Sequence, residues 1–263
     1  MKVLETISES FQKDVVENNF SRRDALTKGL GFGLKAALAA IPLGVFSALN
    51  NKAMAGPSNT DINAILNFAL TLEYLESTFY TTGLSTNGLI PAADRTVMAQ
   101  ISKHETDHVA LLKTTITSLG GTPVAMPTFD FTAGGTYSDV FSNYQTFLAL
   151  SNAFEDTGVR AYKGAAPALL GSGAVLTAAL DIHSVEARHA SEVRRMRGLK
   201  GWITEAEANG LPAAIYAGED NTTQLGTNVT TITTAPAASI TEAFDEPLTM
   251  SAVLAIAGPF IKS

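Results

Sequence analysis

The chain contains no cysteine. That absence excludes disulfides, thiolate zinc sites, iron–sulfur clusters and cysteine nucleophiles. Any metal here must be held by Glu, Asp and His. Histidine itself is scarce, at four residues, and tryptophan occurs once. Charge is sparse as well: only 16% of the 263 residues are Asp, Glu, Lys or Arg, and the net charge is -7. No basic surface interleaved with aromatics is present, so nucleic acid is excluded as a partner. With 46% apolar residues, the chain can bury a large core and is not disordered.

Two of the four histidines fall in one pattern. Glu105 and His108 are three residues apart, and so are Glu186 and His189. Three residues turn a helix by about 300°, so each pair leaves its helix from one face. Around the first pair, Val97, Ile101, Leu111, Leu112 and Thr115 lie on or beside the same stripe. A carboxylate and an imidazole on a core-facing stripe are unfavourable unless something neutralises them. Two such pairs in one chain are the sequence form of a metal site inside a helix bundle.

Residues 1–55 carry an export pattern. Arg22 and Arg23 lie in Ser21-Arg22-Arg23-Asp24-Ala25-Leu26, the form of a twin-arginine signal with Ala where Phe is favoured. Gly29 to Leu49 is a small-residue apolar run, and Ala53-Met54-Ala55 fits a cleavage site before Gly56. The expectation is a chain handed to the twin-arginine machinery and released to the periplasm or beyond. The alternative is an uncleaved membrane anchor, because 21 residues can just span a bilayer.

The rest predicts a four-helix bundle over 56–199 and an extension over 200–263. Ser58 to Asp61 open the first helix, which runs to about Thr82 with Gly83 as its stop. Its buried stripe of Ile62, Ile65, Leu66 and Ala69 continues into Glu73. The second helix starts at Pro91 to Asp94 and ends near Leu119. The third runs from about Asp139 to Lys163 and carries Glu155. The fourth runs from about Gly173 to Arg197. Between the second and third, residues 120–138 have no helical period. A helix of about 26 residues is about 39 Å long; nineteen extended residues reach roughly 60 Å, enough to cross the bundle. In the extension, the Thr-rich run 222–234 is strand or ordered loop, and Met250 to Ile261 is apolar enough to dock on the bundle.

The two halves repeat. Glu73 to Glu155 and Tyr80 to Tyr162 are both 82 residues apart; Glu105 to Glu186 and His108 to His189 are both 81. Four positions sharing one offset within a residue imply two helix hairpins about a pseudo-twofold axis. Other polar residues have plainer readings. Glu76, one turn from Glu73, is read as a rim carboxylate, with a further ligand as the alternative, and His104 and His183 as core or outer groups rather than ligands. Asp107, Asp156 and Asp181 are read as solvated surface, with orienting a ligating imidazole as the alternative. Tyr80 and Tyr162 either bond the carboxylates or simply pack. Arg160 and Arg188 are read as salt-bridge residues, and Trp202 as packing in the tail.

The stretches Leu66–Leu70 through Tyr80, Lys103–Leu112, Asn152–Ala166 and Val185–Val193 resemble the ferritin-like superfamily. More narrowly, they are similar to exported, desiccation-related bacterial ferritin-like proteins. The resemblance covers about residues 60–200. It implies an all-α ferritin-like four-helix bundle with a long crossover between helices two and three. It also implies a two-metal site, with iron as the metal and manganese as the alternative. In that pattern Glu73 and Glu155 are terminal ligands, Glu105 and Glu186 bridge, and His108 and His189 each bind one metal. Four carboxylates balance two divalent ions, which makes their burial tolerable. The expected function is redox chemistry on oxygen or peroxide, in a homo-oligomer, as stress protection. Non-catalytic metal storage is a second reading. A structural or surface-interaction protein using the Thr-rich tail is a third.

Overall fold

A computed structural model describes residues 58–262, so the export segment lies outside the described residues. Four long helices carry the fold: α1 (Asn59–Ser85), α2 (Ala92–Ser118), α3 (Tyr144–Ala165) and α4 (Ala174–Met196). α1 packs chiefly on α2 and α3 chiefly on α4, and contact between α1 and α3 joins the two hairpins. The fold is all-α, as expected, with the long crossover between α2 and α3.

Helix ends follow local chemistry. Ser58 caps α1 by accepting the Asp61 N–H at 3.3 Å. Two boundaries differ from expectation. α1 does not stop at Gly83 but runs on to Ser85. Gly83 is there for space: a Cβ at that position would stand 2.3 Å from the Phe147 ring. α3 begins at Tyr144 rather than near Asp139, because the Asn143 side chain caps it by accepting the Gln145 N–H at 3.0 Å.

Each helix reads as core, then polar centre, then core. One apolar cluster gathers Phe79, Tyr80, Met98, Ile101, Phe147, Phe154 and Val193. Phe79 is its hub, with the Phe147 ring stacked at 4.6 Å and Phe154 edge-on at 5.0 Å. A second cluster gathers Ile62, Leu66, Leu70, Leu112, Ile116, Tyr162 and Ile182. Along all four helices the Glu and His of interest fall between the two clusters. Leu111, expected on the inner stripe, is 44% exposed instead.

The crossover and extension are tied together. β1 (Thr128–Phe129) pairs antiparallel with β4 (Ile261–Lys262) at the C-terminus, with Thr128 opposite Lys262. The Thr-rich run forms a small hairpin of β2 (Thr223–Gln224) and β3 (Thr227–Asn228). A short α5 (Ala237–Thr241) follows. α6 (Met250–Ala257) packs on α3 through the fully buried Val253.

Buried polar groups fasten the extension to α3. The wholly buried Arg160 pairs with Glu219 at 2.8 Å. Its Nε donates to the Glu246 carbonyl at 2.7 Å, and its Nη2 to the Ala217 carbonyl at 2.6 Å. Asp156, expected at the surface, is 2% exposed. It accepts from Arg194 at 2.6 Å and from the Tyr216 hydroxyl at 2.8 Å. Helical periodicity placed it one step from Glu155 but could not show that residues 200–219 cover it. Arg160 is a salt-bridge residue as expected. Among the described residues Arg188 makes no ion pair, and Trp202 is 48% exposed rather than packed.

Gly164 sets the approach of the extension, since a Cβ there would stand 1.9 Å from the Leu248 carbonyl oxygen. Backbone cannot swing aside as a side chain can. Gly164→Ala is therefore expected to lower stability by about 1–3 kcal/mol. The check is thermal or urea unfolding beside Gly158→Ala, whose added Cβ meets only side chains, Glu76 Oε1 at 3.3 Å and Glu186 in ordinary contact at 3.8 Å. Equal stability of the two variants would refute the close approach.

Candidate metal centre

Between the apolar clusters, six side chains converge in two groups. One is Glu73, Glu105, His108 and Glu186; the other is Glu105, Glu155, Glu186 and His189. Within each group one nitrogen or oxygen per residue lies within 4.8 Å of all the others. Every sequence-predicted site residue is thus brought together, and none is left out. Glu105 and Glu186, from the two helices bearing the Glu-x-x-His pairs, are common to both groups. All four glutamates are completely buried, and the imidazoles nearly so.

The imidazoles face inward through Nδ1. His108 Nδ1 lies 3.2 Å from Glu73 Oε2, 3.2 Å from Glu105 Oε2 and 3.3 Å from Glu186 Oε1. His189 Nδ1 lies 2.9 Å from Glu105 Oε1, 3.3 Å from Glu155 Oε2 and 3.5 Å from Glu186 Oε2. Glu105 Oε1 is near enough to His189 to attract it but lies off the direction of a hydrogen bond. Five buried atoms here have no hydrogen-bond partner: Glu105 Oε1, Glu155 Oε2, both Glu186 oxygens and His189 Nδ1. Buried polar atoms are almost always satisfied, so five orphans in one cluster set it apart from ordinary core. Hard carboxylate oxygens with imidazole nitrogen form a donor set that can hold metal ions.

The tyrosines bond carboxylates, and they do so crosswise. Tyr80 of α1 donates to Glu155 of α3 at 2.5 Å, and Tyr162 of α3 donates to Glu73 of α1. Each reaches the glutamate of the other hairpin, a pairing that spacing along one helix could not reveal.

Glu76 differs from expectation. It is 3% exposed, not a rim group. It sits one turn from Glu73 on α1, where Gly158 of α3 leaves room for its carboxyl. His183, as expected, belongs to neither group. Asp107 is a surface residue, as expected, and pairs with Lys103.

Without metal, protons manage the charge. Burial pushes the Glu105 carboxyl up, and the Glu186 charge adds to this. Burial lifts Glu155 to about 7. It also lifts Glu76, with the charges of Glu186, Glu105, Glu155 and Glu73 adding. Burial opposes charge on the imidazoles, but the surrounding carboxylates outweigh it. His108 is raised to about 12, and His189 is raised too. Glu186 faces both imidazoles; burial pushes it up, yet they hold it down at about 2.

A family model described as a ferritin-like domain matches residues 60–199, more than half of the chain. The protein belongs to the ferritin-like domain family. No curated protein matches the chain.

The raised acid gives a pH dependence of definite sign. A carboxyl raised on folding stabilises the fold fully below its ordinary 4.5, and that stabilisation is lost as pH rises through the folded-state value of about 7. His108 acts in the same direction, from 6.5 up to about 12. Metal-free protein is therefore expected to lose stability from this cluster between pH 4.5 and about 7. A divalent ion needs the same groups deprotonated, so the metal-induced gain in Tm should widen over that interval. Calorimetry with chelator and with Mn²⁺ checks this; a gap that does not change with pH would contradict it.

Proposed function

We propose that this protein is a di-metal carboxylate protein acting on oxygen or peroxide, with iron as the metal and manganese as the alternative. The five orphaned buried atoms converging between the hairpins carry the reading. In it, Glu105 and Glu186 would be shared between two ions, Glu73 with His108 would hold one of them, and Glu155 with His189 the other. When bound, such a pair supplies one-electron redox steps at positions the protein ligands leave open.

The chain's own residues set the conditions. Four carboxylates offset two divalent charges, and two neutral imidazoles add none. The O–H groups of Tyr80 and Tyr162 orient Glu155 and Glu73. The apolar clusters on either side keep bulk water away. Glu76, its carboxyl pushed up by burial and by its acidic neighbours, lies beside the cluster.

Elemental analysis of the purified full chain is expected to give two Fe or Mn per protein. Glu186→Ala, which removes a residue common to both groups, should reduce this below one. Native iron-loaded protein should oxidise Fe²⁺ or turn over peroxide. Metal-loaded protein inert to both would end the redox reading, and a native protein free of bound metal would end the di-metal reading as well.

The export pattern of residues 1–55 supports a periplasmic or extracellular place of action. The likeness to desiccation-related proteins supports a role in stress protection there. No helix of the described residues is long and apolar enough to cross a membrane. Residues 1–55 fused to a reporter that folds before export should carry it out of the cytoplasm. Arg22→Lys with Arg23→Lys should retain it inside; export unaffected by that change would refute a twin-arginine route.

A further inference from the structure

The pseudo-twofold axis that relates the ligands does not relate their surroundings. His189 Nε2, the nitrogen facing away from the cluster, lies 2.8 Å from His104 Nδ1. The two rings are nearly parallel, 11° apart, with centroids 5.1 Å from each other. His104 Nε2 in turn meets the Gln100 side-chain amide at 2.6 Å. His104 is half-buried and Gln100 exposed, so this chain of groups runs from the cluster to the surface. On the other side, His108 Nε2 makes no hydrogen bond among the described residues.

The cause is one residue of the repeat. The offset of 81 that carries Glu105 to Glu186 and His108 to His189 carries His104 to Val185. Valine can neither donate nor accept. The six ligands are duplicated, but the group behind one imidazole is not.

We propose that His104 is a positioning residue that makes the two metal positions unequal. It holds His189 with Nε2–H outward and the Nδ1 lone pair aimed at the cluster, so the Glu155–His189 position is the better prepared to take an ion. The inference rests on the di-metal reading. The hydrogen bond requires His104 to accept at Nδ1 and carry its own proton on Nε2. The Gln100 amide must then present its oxygen to Nε2, which a half-turn of that amide supplies. An imidazole locked by an outer hydrogen bond does not have to be ordered when the metal arrives, and losing such a partner commonly weakens metal binding by about 10–100-fold. His108 has no such partner on its outer nitrogen and is held only from the cluster side, by Glu73 and Glu105 at Nδ1.

The test is a Mn²⁺ titration of the full-length protein, with free Mn²⁺ read by electron paramagnetic resonance, in a double-mutant design. His104→Leu is expected to weaken the tighter step by about 10–100-fold. It should do the same in a His108→Ala background and add nothing in a His189→Ala background, because it acts through His189. His104→Gln, which keeps an acceptor, should stay near native affinity. His104→Ala, a change at a half-exposed position, replaces His104→Leu if the latter fails to fold. Native affinity in His104→Leu would overturn the inference, as would equal losses in all three backgrounds or a loss in His104→Gln as large as in His104→Leu. Each of those results leaves the metal centre standing; a native protein that binds no Mn²⁺ and no Fe²⁺ removes the di-metal reading itself.

Discussion

Negative charge confined in an apolar interior is the constraint on which the rest of this molecule depends. Five carboxyl groups, Glu73, Glu76, Glu105, Glu155 and Glu186, lie in one layer of the bundle, all essentially out of water. Isolated, each would disfavour folding by several kcal/mol. The layer holds because every means of lowering that cost is present at once. Two imidazoles face the acids, and two tyrosine hydroxyls cross between hairpins to meet Glu155 and Glu73. Burial pushes the Glu76 carboxyl up. Five atoms of this cluster remain without partners, in a donor set that can hold metal ions.

The apolar clusters on either side are the complement of that layer. Phe79 and its ring of aromatics fill one end, and mainly Leu and Ile, with Tyr74 and Tyr162, fill the other. They fix the helices so that the polar side chains have nowhere else to go. The same logic operates a second time where the extension meets α3. Arg160 carries a fully buried charge, and residues 215–246 satisfy it with one carboxylate and several carbonyls. Asp156, next to Glu155, is likewise satisfied by Arg194 and by Tyr216 of the extension. The extension is therefore bonded to the helix that supplies a site glutamate, and Gly164 lets its backbone come close enough.

The six residues of the cluster were legible because they combine two periodicities. A Glu and a His three apart must share a helix face, and an offset of 81 or 82 must pair the hairpins. What stayed hidden depended on contacts between segments remote in sequence. Gly83 looked like a helix stop because glycine often is one; only the Phe147 ring, delivered by α3, shows why it sits within the helix. Glu76 looked like a rim group because one helix alone does not reveal that Gly158 leaves it a buried niche. Tyr80 and Tyr162 looked equally fit to bond or to pack, since their partners lie on the opposite hairpin.

The amino-acid order alone determined that the chain is all-α, that the six Glu and His side chains of the site face inward and that two equivalent hairpins carry them, because periodicity and repetition are properties of the order itself. Only the tertiary structure decided which groups meet across the bundle: tyrosine with the opposite glutamate, Arg160 with the extension, His104 with His189. The physical reason is that hydrogen bonds and ion pairs act over about 3 Å, and distances of that kind between remote segments exist only once the helices have packed.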